Sequence, residues 1–333
     1  MERPADKGGR LKGRERMKRN RWEAFSRSVL AFFMSLLFSF PVAAGEWDSL
    51  ERKLGADGFD GKEMADLFQR ADLRFDPEPM TTKITELMVR ANRQDSGQRK
   101  VNRSAVYGRY LRPETMRSAH AYLDRHRALL GRISREYCVP REVVVAVALV
   151  ETNLGANTGR RRAFDVLASM ALSDDLEKVR PFLPPGVLHE GNEDQARQRC
   201  REKADWAYRE LKYLLKYSRA TGVDPLTVPG SIYGAIGLCQ FMPSNVFLYG
   251  IDGDGSGSID LFTTPDALHS IGNYLHRNGW TCRMSATQRR RVVMTYNRSQ
   301  VYANTVLAVA DRLRDMDRKK KRKNTDFRGG SAT

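Results

Sequence analysis

A mainly α-helical, enzyme-sized fold is what these 333 residues predict, on three observations. Apolar residues recur at spacings of three, four and seven along most of the chain, which is one face of a helix. Prolines and acids open those stretches and glycines close them, the asymmetry that helix ends impose. Alternating runs that would mark strands are few, and no internal repeat is present.

Taken in order, residues 1–27 are basic and polar, residues 29–40 form a short apolar run, and Val42-Ala43-Ala44 supplies small residues before Gly45. This is the layout of a secretory signal, expected to span 1–44 and to be removed after Ala44. The run falls short of the roughly 20 residues that cross a bilayer, and no cysteine stands there for lipidation. Two short helical patterns follow in 46–70: Trp47, Leu50 and Leu54 closed by Gly55, then Met64, Leu67 and Phe68. Residues 75–109 read as loop and extended chain with an Asp95-Ser96-Gly97 turn, so 45–110 is expected to form a smaller N-terminal lobe. Pro113 and Glu114 open a helix with Met116, Ala119, Leu123, Leu130, Ile133 and Tyr137 on one face.

After a helix within 141–155, residues 164–172 give another helical pattern with Asp165 near its start. Residues 181–194 read as a loop. A long helix burying Ala207, Leu211, Leu214 and Leu215 stops near Gly222. Thr264-Pro265-Asp266 starts a helix through Leu268, Ile271 and Leu275 that ends at Gly279. Ser299 caps the last one, with Tyr302, Val306, Val309 and Leu313 inward. The main domain is thus expected over 111–315, with a basic disordered tail over 316–333 that contains RKKKRK at 318–323.

The chain carries 57 Lys and Arg against 40 Asp and Glu, a net charge of +17, which falls to +11 once residues 1–44 are removed. On an exported protein such an excess points to an anionic envelope polymer or membrane surface, touched through the basic tail, rather than to nucleic acid. Cys138, Cys200, Cys239 and Cys282 remain after export. An even number in an oxidising compartment permits two disulfides, in any of three pairings. Their spacing fits no zinc motif.

The stretch 141–155 drives an apolar wall, Val143 to Val150, straight into one carboxylate, Glu151. Pro140, Arg141 and Glu142 suit a helix start, and Asn153 and Gly155 a stop. Apolar surroundings and the negative end of the helix dipole both disfavour the charged form of Glu151, the state a general acid needs near neutrality. The bland alternative is a buried Glu paired with Arg160, Arg161 or Arg162. Further on, residues 230–245 (GSIYGAIGLCQFMPSN) pack four glycines and one uncharged polar side chain, Gln240, between apolar neighbours. Glycine admits close approach of another backbone, and Gln240 can both donate to and accept from an amide.

Glu151-Thr152-Asn153 with Gly155, the 230–244 block, and Tyr296-Asn297-Arg298-Ser299 with Tyr302-Ala303 together closely resemble the membrane-bound lytic transglycosylase B family of peptidoglycan-cleaving enzymes. Tyr110-Leu111-Arg112-Pro113-Glu114 and Tyr137-Cys138-Val139-Pro140 extend the resemblance over roughly 47–313. It implies a lysozyme-like α-helical core, with Glu151 as the single catalytic acid and Ser231 orienting it. Gln240, Tyr296 and Asn297 would hold the sugar and its N-acetyl group, and Phe241 would line the cleft. The sequence departs from the pattern where the aromatic of the second block has moved to Tyr233, behind Ile232, and where Cys239 replaces a small residue or proline.

Asp252, Asp254, Ser256, Ser258 and Asp260 follow the spacing of a calcium loop, with Gly257 at position 6 and Ile259 at position 8. Position 12 is Thr263 where a bidentate Glu is wanted. The family carries a similar EF-hand-like loop, so structural calcium is implied, while the chemistry needs no cofactor. The expected protein is an exported, monomeric lytic transglycosylase of the periplasm or cell envelope, acting on peptidoglycan glycan strands. A hydrolytic muramidase would need a second carboxylate, for which Asp165 is the nearest in sequence. A non-catalytic wall-binding protein is the other alternative.

Overall fold

In a computed structural model of the chain, residues 44–95 and 104–329 are described. The expected export segment therefore lies, but for Ala44, outside the described residues. Among the described residues no helix is long and apolar enough to cross a membrane.

The lobe opens with α1 (Ala44–Ala56) and α2 (Gly61–Arg70), whose N-cap Asp60 accepts from the backbone N–H of Glu63 at 2.8 Å. A third helix, α3 (Glu78–Asp95), occupies part of the stretch that the sequence suggested was loop and extended chain. Its polar, Thr-containing sequence hides a stripe of Met80, Ile84 and Met88, one turn apart and all buried, and burial of that stripe decides the conformation. These helices pack on the main domain and their apolar residues join the same core.

The long helix expected from Pro113 is broken at His126 into α4 (Pro113–Arg125) and α5 (Arg127–Tyr137). α6 (Arg141–Thr152) follows the boundaries its sequence predicts, with Pro140 in front and Asn153 behind in the left-handed conformation. Val144, Val145, Val147 and Leu149 are wholly buried, each contributing about 1.5–3 kcal/mol relative to exposure. Around α6 pack α4, α5, α11 (Thr264–Arg277) and α13 (Gln300–Gly329). α7 (Ala163–Leu172) lies along α9 (Glu193–Thr221), which ends on Gly222. Between them in sequence come α8 (Leu176–Val179) and a 3₁₀ turn (Arg180–Phe182) that takes the first residues of the expected 181–194 loop. A two-residue strand β1 (Arg161–Arg162) pairs antiparallel with β2 (Pro229–Gly230), tying the chain after α6 to the glycine-rich segment. α10 (Pro243–Tyr249) and α12 (Ala286–Tyr296) complete the set. The sequence signal for α12 was a capping box, Ser285 with Gln288, which the apolar spacing of this arginine-rich stretch obscures.

Two expectations are corrected. The last helix does not give way to disorder near 316 but runs to Gly329. Buried Asp317 accepts from Arg127 and Arg141, and Lys320 reaches Asp124, so charges on α4, α5 and α6 hold the basic extension. There is one disulfide rather than two. Cys138, at the left-handed end of α5, bonds Cys282 in the turn before α12. Cys200 is buried in α9 with its thiol on the Ser173 carbonyl, and Cys239 is buried in the glycine-rich segment, so each is a free thiol in apolar packing.

Thiol titration of the denatured, unreduced protein should therefore count two thiols. Reduction should lower the thermal midpoint, because the bridge spans 144 residues, and closing so long a loop constrains the unfolded chain by about 5 kcal/mol in the chain-entropy account. Four thiols, or an unchanged midpoint, would contradict the pairing.

Candidate active site

The end of α6 is built before any ligand arrives. Asn153 and Leu154 both adopt positive φ, and the N–H of Leu154 closes on the Ala148 carbonyl at 3.1 Å, turning the chain sharply out of the helix. The Thr152 hydroxyl donates to the Leu238 carbonyl at 2.9 Å and accepts from the Gly155 N–H at 3.0 Å. That pins the turn to the glycine-rich segment. Here glycine is required sterically. A Cβ at Gly237 (φ +72°) would stand 2.5 Å from Leu261 Cβ, and one at Gly234 (φ +79°) 2.7 Å from Leu167 Cγ.

Glu151 occupies the last turn of α6, and the Tyr302 hydroxyl donates to its Oε1 at 2.5 Å. Burial pushes the Glu151 carboxyl up from the ordinary 4.5 to about 7, against the smaller lowering effect of the Tyr302 hydrogen bond. No Arg160, Arg161 or Arg162 pairing neutralises it: Arg161 holds Asp76 and Glu78, and Arg162 holds Asp165. Among the described residues no second carboxylate perturbs Glu151. Asp165, the muramidase candidate, is bound to Arg162 at 2.7 Å beside Asp72 and Asp76.

Tyr302 stacks on Tyr296 with ring centroids 6.5 Å apart and planes 15° apart. Tyr296 in turn meets Tyr274 at 4.7 Å, and Tyr274 meets Tyr249 at 4.6 Å. The Tyr296 hydroxyl donates to the Cys239 carbonyl at 2.6 Å, so the aromatic row also fixes the glycine-rich segment. Tyr110 closes the other side, donating to the Val150 carbonyl at 3.0 Å.

The expected site residues are thus partly brought together. Tyr296 joins Glu151 through Tyr302, and Asn297, next along, is exposed at the end of α12. Gln240 has a positive φ of 51°, and its Nε2 donates to Thr158 and Gly237 carbonyls, leaving Oε1 as the acceptor it can offer. Phe241 is 1% exposed and packs behind Tyr296 and Tyr274, so it braces the wall instead of lining a cleft. Among the described residues no hydrogen bond joins Ser231 to Glu151. The Ser231 hydroxyl oxygen accepts from the N–H groups of Tyr233 and Ala235 and shapes the turn, while orientation of the acid falls to Tyr302. Tyr233 is engaged with α3, its hydroxyl on Glu86 at 3.0 Å and the Lys83 ammonium 3.6 Å from its ring centre. Tyr302 stands six residues after Tyr296 in a block the sequence marks, but nothing local says that its hydroxyl reaches Glu151.

The acidic loop gathers Asp252, Asp254 and Asp266, with carboxylate oxygens within 4.8 Å of one another. Asp266 is wholly buried and accepts from the N–H groups of Gly253 (2.8 Å) and Asp260 (2.7 Å). The sequence presents it only as a first-turn acid, yet it is the third carboxylate of this cluster. Three clustered carboxylates suit a hard, oxygen-seeking cation. Of the expected ligands, Asp260 is not among the three clustered carboxylates and accepts from the Phe262 N–H, while the Ser256 hydroxyl donates to the Ser258 carbonyl.

Comparisons with known proteins agree with this architecture. Residues 43–290 match the family described as Transglycosylase SLT domain. The chain is 29% identical over 172 residues to membrane-bound lytic murein transglycosylase B of Escherichia coli (strain K12), a match covering 52% of this chain and 40% of that protein's length. Its fold is similar to the soluble lytic transglycosylase SltB1 of Pseudomonas aeruginosa, with a TM-score of 0.60 and 22% identity over 82% of this chain and 99% of that one. SltB3 of the same organism, in complex with NAG-anhNAM-pentapeptide, matches with a TM-score of 0.58 and 20% identity over 80% of this chain and 78% of that one.

The state of Glu151 has a measurable consequence for stability. Below pH 4.5 the carboxyl is protonated whether folded or not; between 4.5 and about 7 only the folded protein keeps the proton, so stability falls as pH rises. Glu151→Gln should therefore match wild type in thermal midpoint at acid pH, gain through that window, and hold its advantage above it. In a Tyr302→Phe background the window should extend to higher pH, since the hydrogen bond that lowers the pKa is gone. A difference between Gln and Glu that does not vary with pH would mean that Glu151 titrates as an ordinary carboxylate.

Proposed function

The chain belongs to the transglycosylase SLT domain family, and from that premise we propose that it is a lytic transglycosylase of the cell envelope. It cleaves the β-1,4 bond between N-acetylmuramic acid and N-acetylglucosamine in peptidoglycan without adding water. The observation that carries this reading is the half-buried Glu151, held near 7 by desolvation with no second carboxylate acting on it among the described residues.

Glu151 first acts as the acid. Its proton passes to the glycosidic oxygen as the bond to muramic C1 breaks, and the freed N-acetylglucosamine end leaves as an alcohol. The muramic N-acetyl oxygen stabilises the electron-deficient C1. A hydrolase would need a protein base to prepare water, with carboxyl groups roughly 5–5.5 Å apart for retention or 6.5–9.5 Å for inversion. Here the carboxylate left on Glu151 instead takes the proton of the muramic 6-hydroxyl, O6 bonds C1, and the acid is restored. The internal hydroxyl has an effective-molarity advantage on the order of 10⁵ M or more when well oriented. Tyr302 is the positioning residue for Glu151. Tyr296, Asn297 and the Oε1 of Gln240 hold the sugar and its N-acetyl group.

The relatives' names support this reading: one acts on murein, and another was captured with an anhydro sugar bearing a pentapeptide. Mass spectrometry of digested sacculi tests it. The muramic ends should be 1,6-anhydro, one water lighter than hydrolytic ends, and Glu151→Gln should cut turnover by at least about 10²-fold. Mainly hydrated, reducing ends would make the protein a muramidase.

We also infer that Asp252, Asp254 and Asp266 hold calcium, which would bridge the loop before α11 to that helix and supply no step of the reaction. Millimolar calcium should raise the thermal midpoint, since a ligand of the folded state alone stabilises it by mass action. Asp254→Ala, at an exposed position, should erase that rise without unfolding the protein. A midpoint indifferent to calcium would leave the loop as a metal-free turn.

A further inference from the structure

α10 carries two consecutive large apolar side chains that the fold does not cover. Phe247 is 49% exposed and Leu248 53%, while only Pro243 and Val246 of this helix are buried. The next residue, Tyr249, turns inward onto Tyr274, so the exposed pair is not part of a frayed end. Phe247 leans on Tyr213 of α9, with ring centroids 5.5 Å apart.

Cations flank this pair. The Lys216 ammonium lies 5.3 Å from the Tyr213 ring centre. The Arg277 guanidinium lies 5.7 Å from that of Tyr249 and donates to the Leu248 carbonyl at 2.9 Å. Arg209 is exposed one turn before Tyr213. On the same helix Lys212 and Arg219 are tied to Asp57 and Glu63, whereas Arg209, Lys216 and Arg277 have no carboxylate within ion-pair distance among the described residues. Apolar and aromatic side chains beside cations that are in no ion pair match the layered chemistry of an anionic bilayer surface. Phe and Leu enter the acyl boundary, Tyr lies at headgroup depth, and Lys and Arg reach the phosphates. A second copy of the chain is a poor occupant, because an isologous contact would set the same three cations against each other.

We propose that the Phe247–Leu248 face of α10, with Tyr213, Lys216 and Arg277, docks the protein on anionic phospholipid. The surface contains none of the residues assigned to bond cleavage, so the proposal stands apart from that chemistry.

The test uses the full chain with vesicles of phosphatidylglycerol and phosphatidylethanolamine, or of phosphatidylcholine alone, followed by co-sedimentation and by hydrogen exchange of the 243–250 segment. Wild type should favour the anionic vesicles by about tenfold or more at low salt, given about 1 kcal/mol per basic side chain near such a surface. Exchange in 243–250 should slow only with those vesicles. Phe247→Ser with Leu248→Ser should weaken partition about tenfold, lose the slowing, and leave the thermal midpoint unchanged. The proposal is overturned by sedimentation without slowed exchange in 243–250, which would assign binding to the basic end of α13 or to residues 1–44. Equal binding of the double variant, equal binding to phosphatidylcholine, or slowing in concentrated protein without vesicles, the sign of self-association, would overturn it as well.

Discussion

Everything at the candidate site follows from putting one carboxylate at the end of a helix that is otherwise apolar. α6 is driven into the core by its valines and leucine, and Glu151 is carried along to the point where the helix emerges. Desolvation then raises its pKa to about 7, and Tyr302 limits the rise by bonding the charged form. A partner arginine at this position would have returned the group to an ordinary carboxylate. The neighbouring arginines are occupied elsewhere, Arg161 with Asp76 and Glu78 and Arg162 with Asp165, and that segregation keeps Glu151 protonatable.

Rigidity around this group comes from two devices that bond adjacent residues of the glycine-rich segment. One is the left-handed exit from α6, locked to Leu238 by the Thr152 hydroxyl. The other is the row of tyrosines from Tyr302 through Tyr296 to Tyr274 and Tyr249, whose edge and stacked contacts are each worth about 0.5–1.5 kcal/mol beyond burial. They meet at the glycine-rich segment, where the Cys239 carbonyl accepts from Tyr296. Phe241 belongs to this brace. Its near-complete burial explains why an aromatic is needed there even though it does not face a sugar.

The lobe of α1 to α3 bears on the same segment from the far side. Lys83 and Glu86 of α3 engage both the ring and the hydroxyl of Tyr233. Opposite them, the acidic loop fixes the start of α11, because Asp266 accepts two loop N–H groups from within that helix. The glycine-rich turn is therefore held by the α3 contacts to Tyr233 and by the Leu238 N–H on the Leu261 carbonyl, just beyond the acidic loop.

What the sequence by itself determined was whatever depends on neighbours along the chain. The limits of α6 follow from Pro140 and Asn153, the end of α9 from Gly222, and the special state of Glu151 from the apolar run before it. The blocks around Glu151, Gln240 and Tyr296 carried the family resemblance. Tertiary structure alone decided what depends on residues far apart. α3 is a helix because Met80, Ile84 and Met88 find a core to enter, which a polar stretch cannot announce. Cys138 bonds Cys282 because the end of α5 meets the turn before α12 across 144 residues, leaving Cys200 and Cys239 in separate apolar packing. Tyr302 instead of Ser231 reaches the acid because α13 packs along α6. The same reason separates Phe247 and Leu248 from the core: hydrophobicity is written in the sequence, but exposure is a property of what the rest of the chain leaves uncovered.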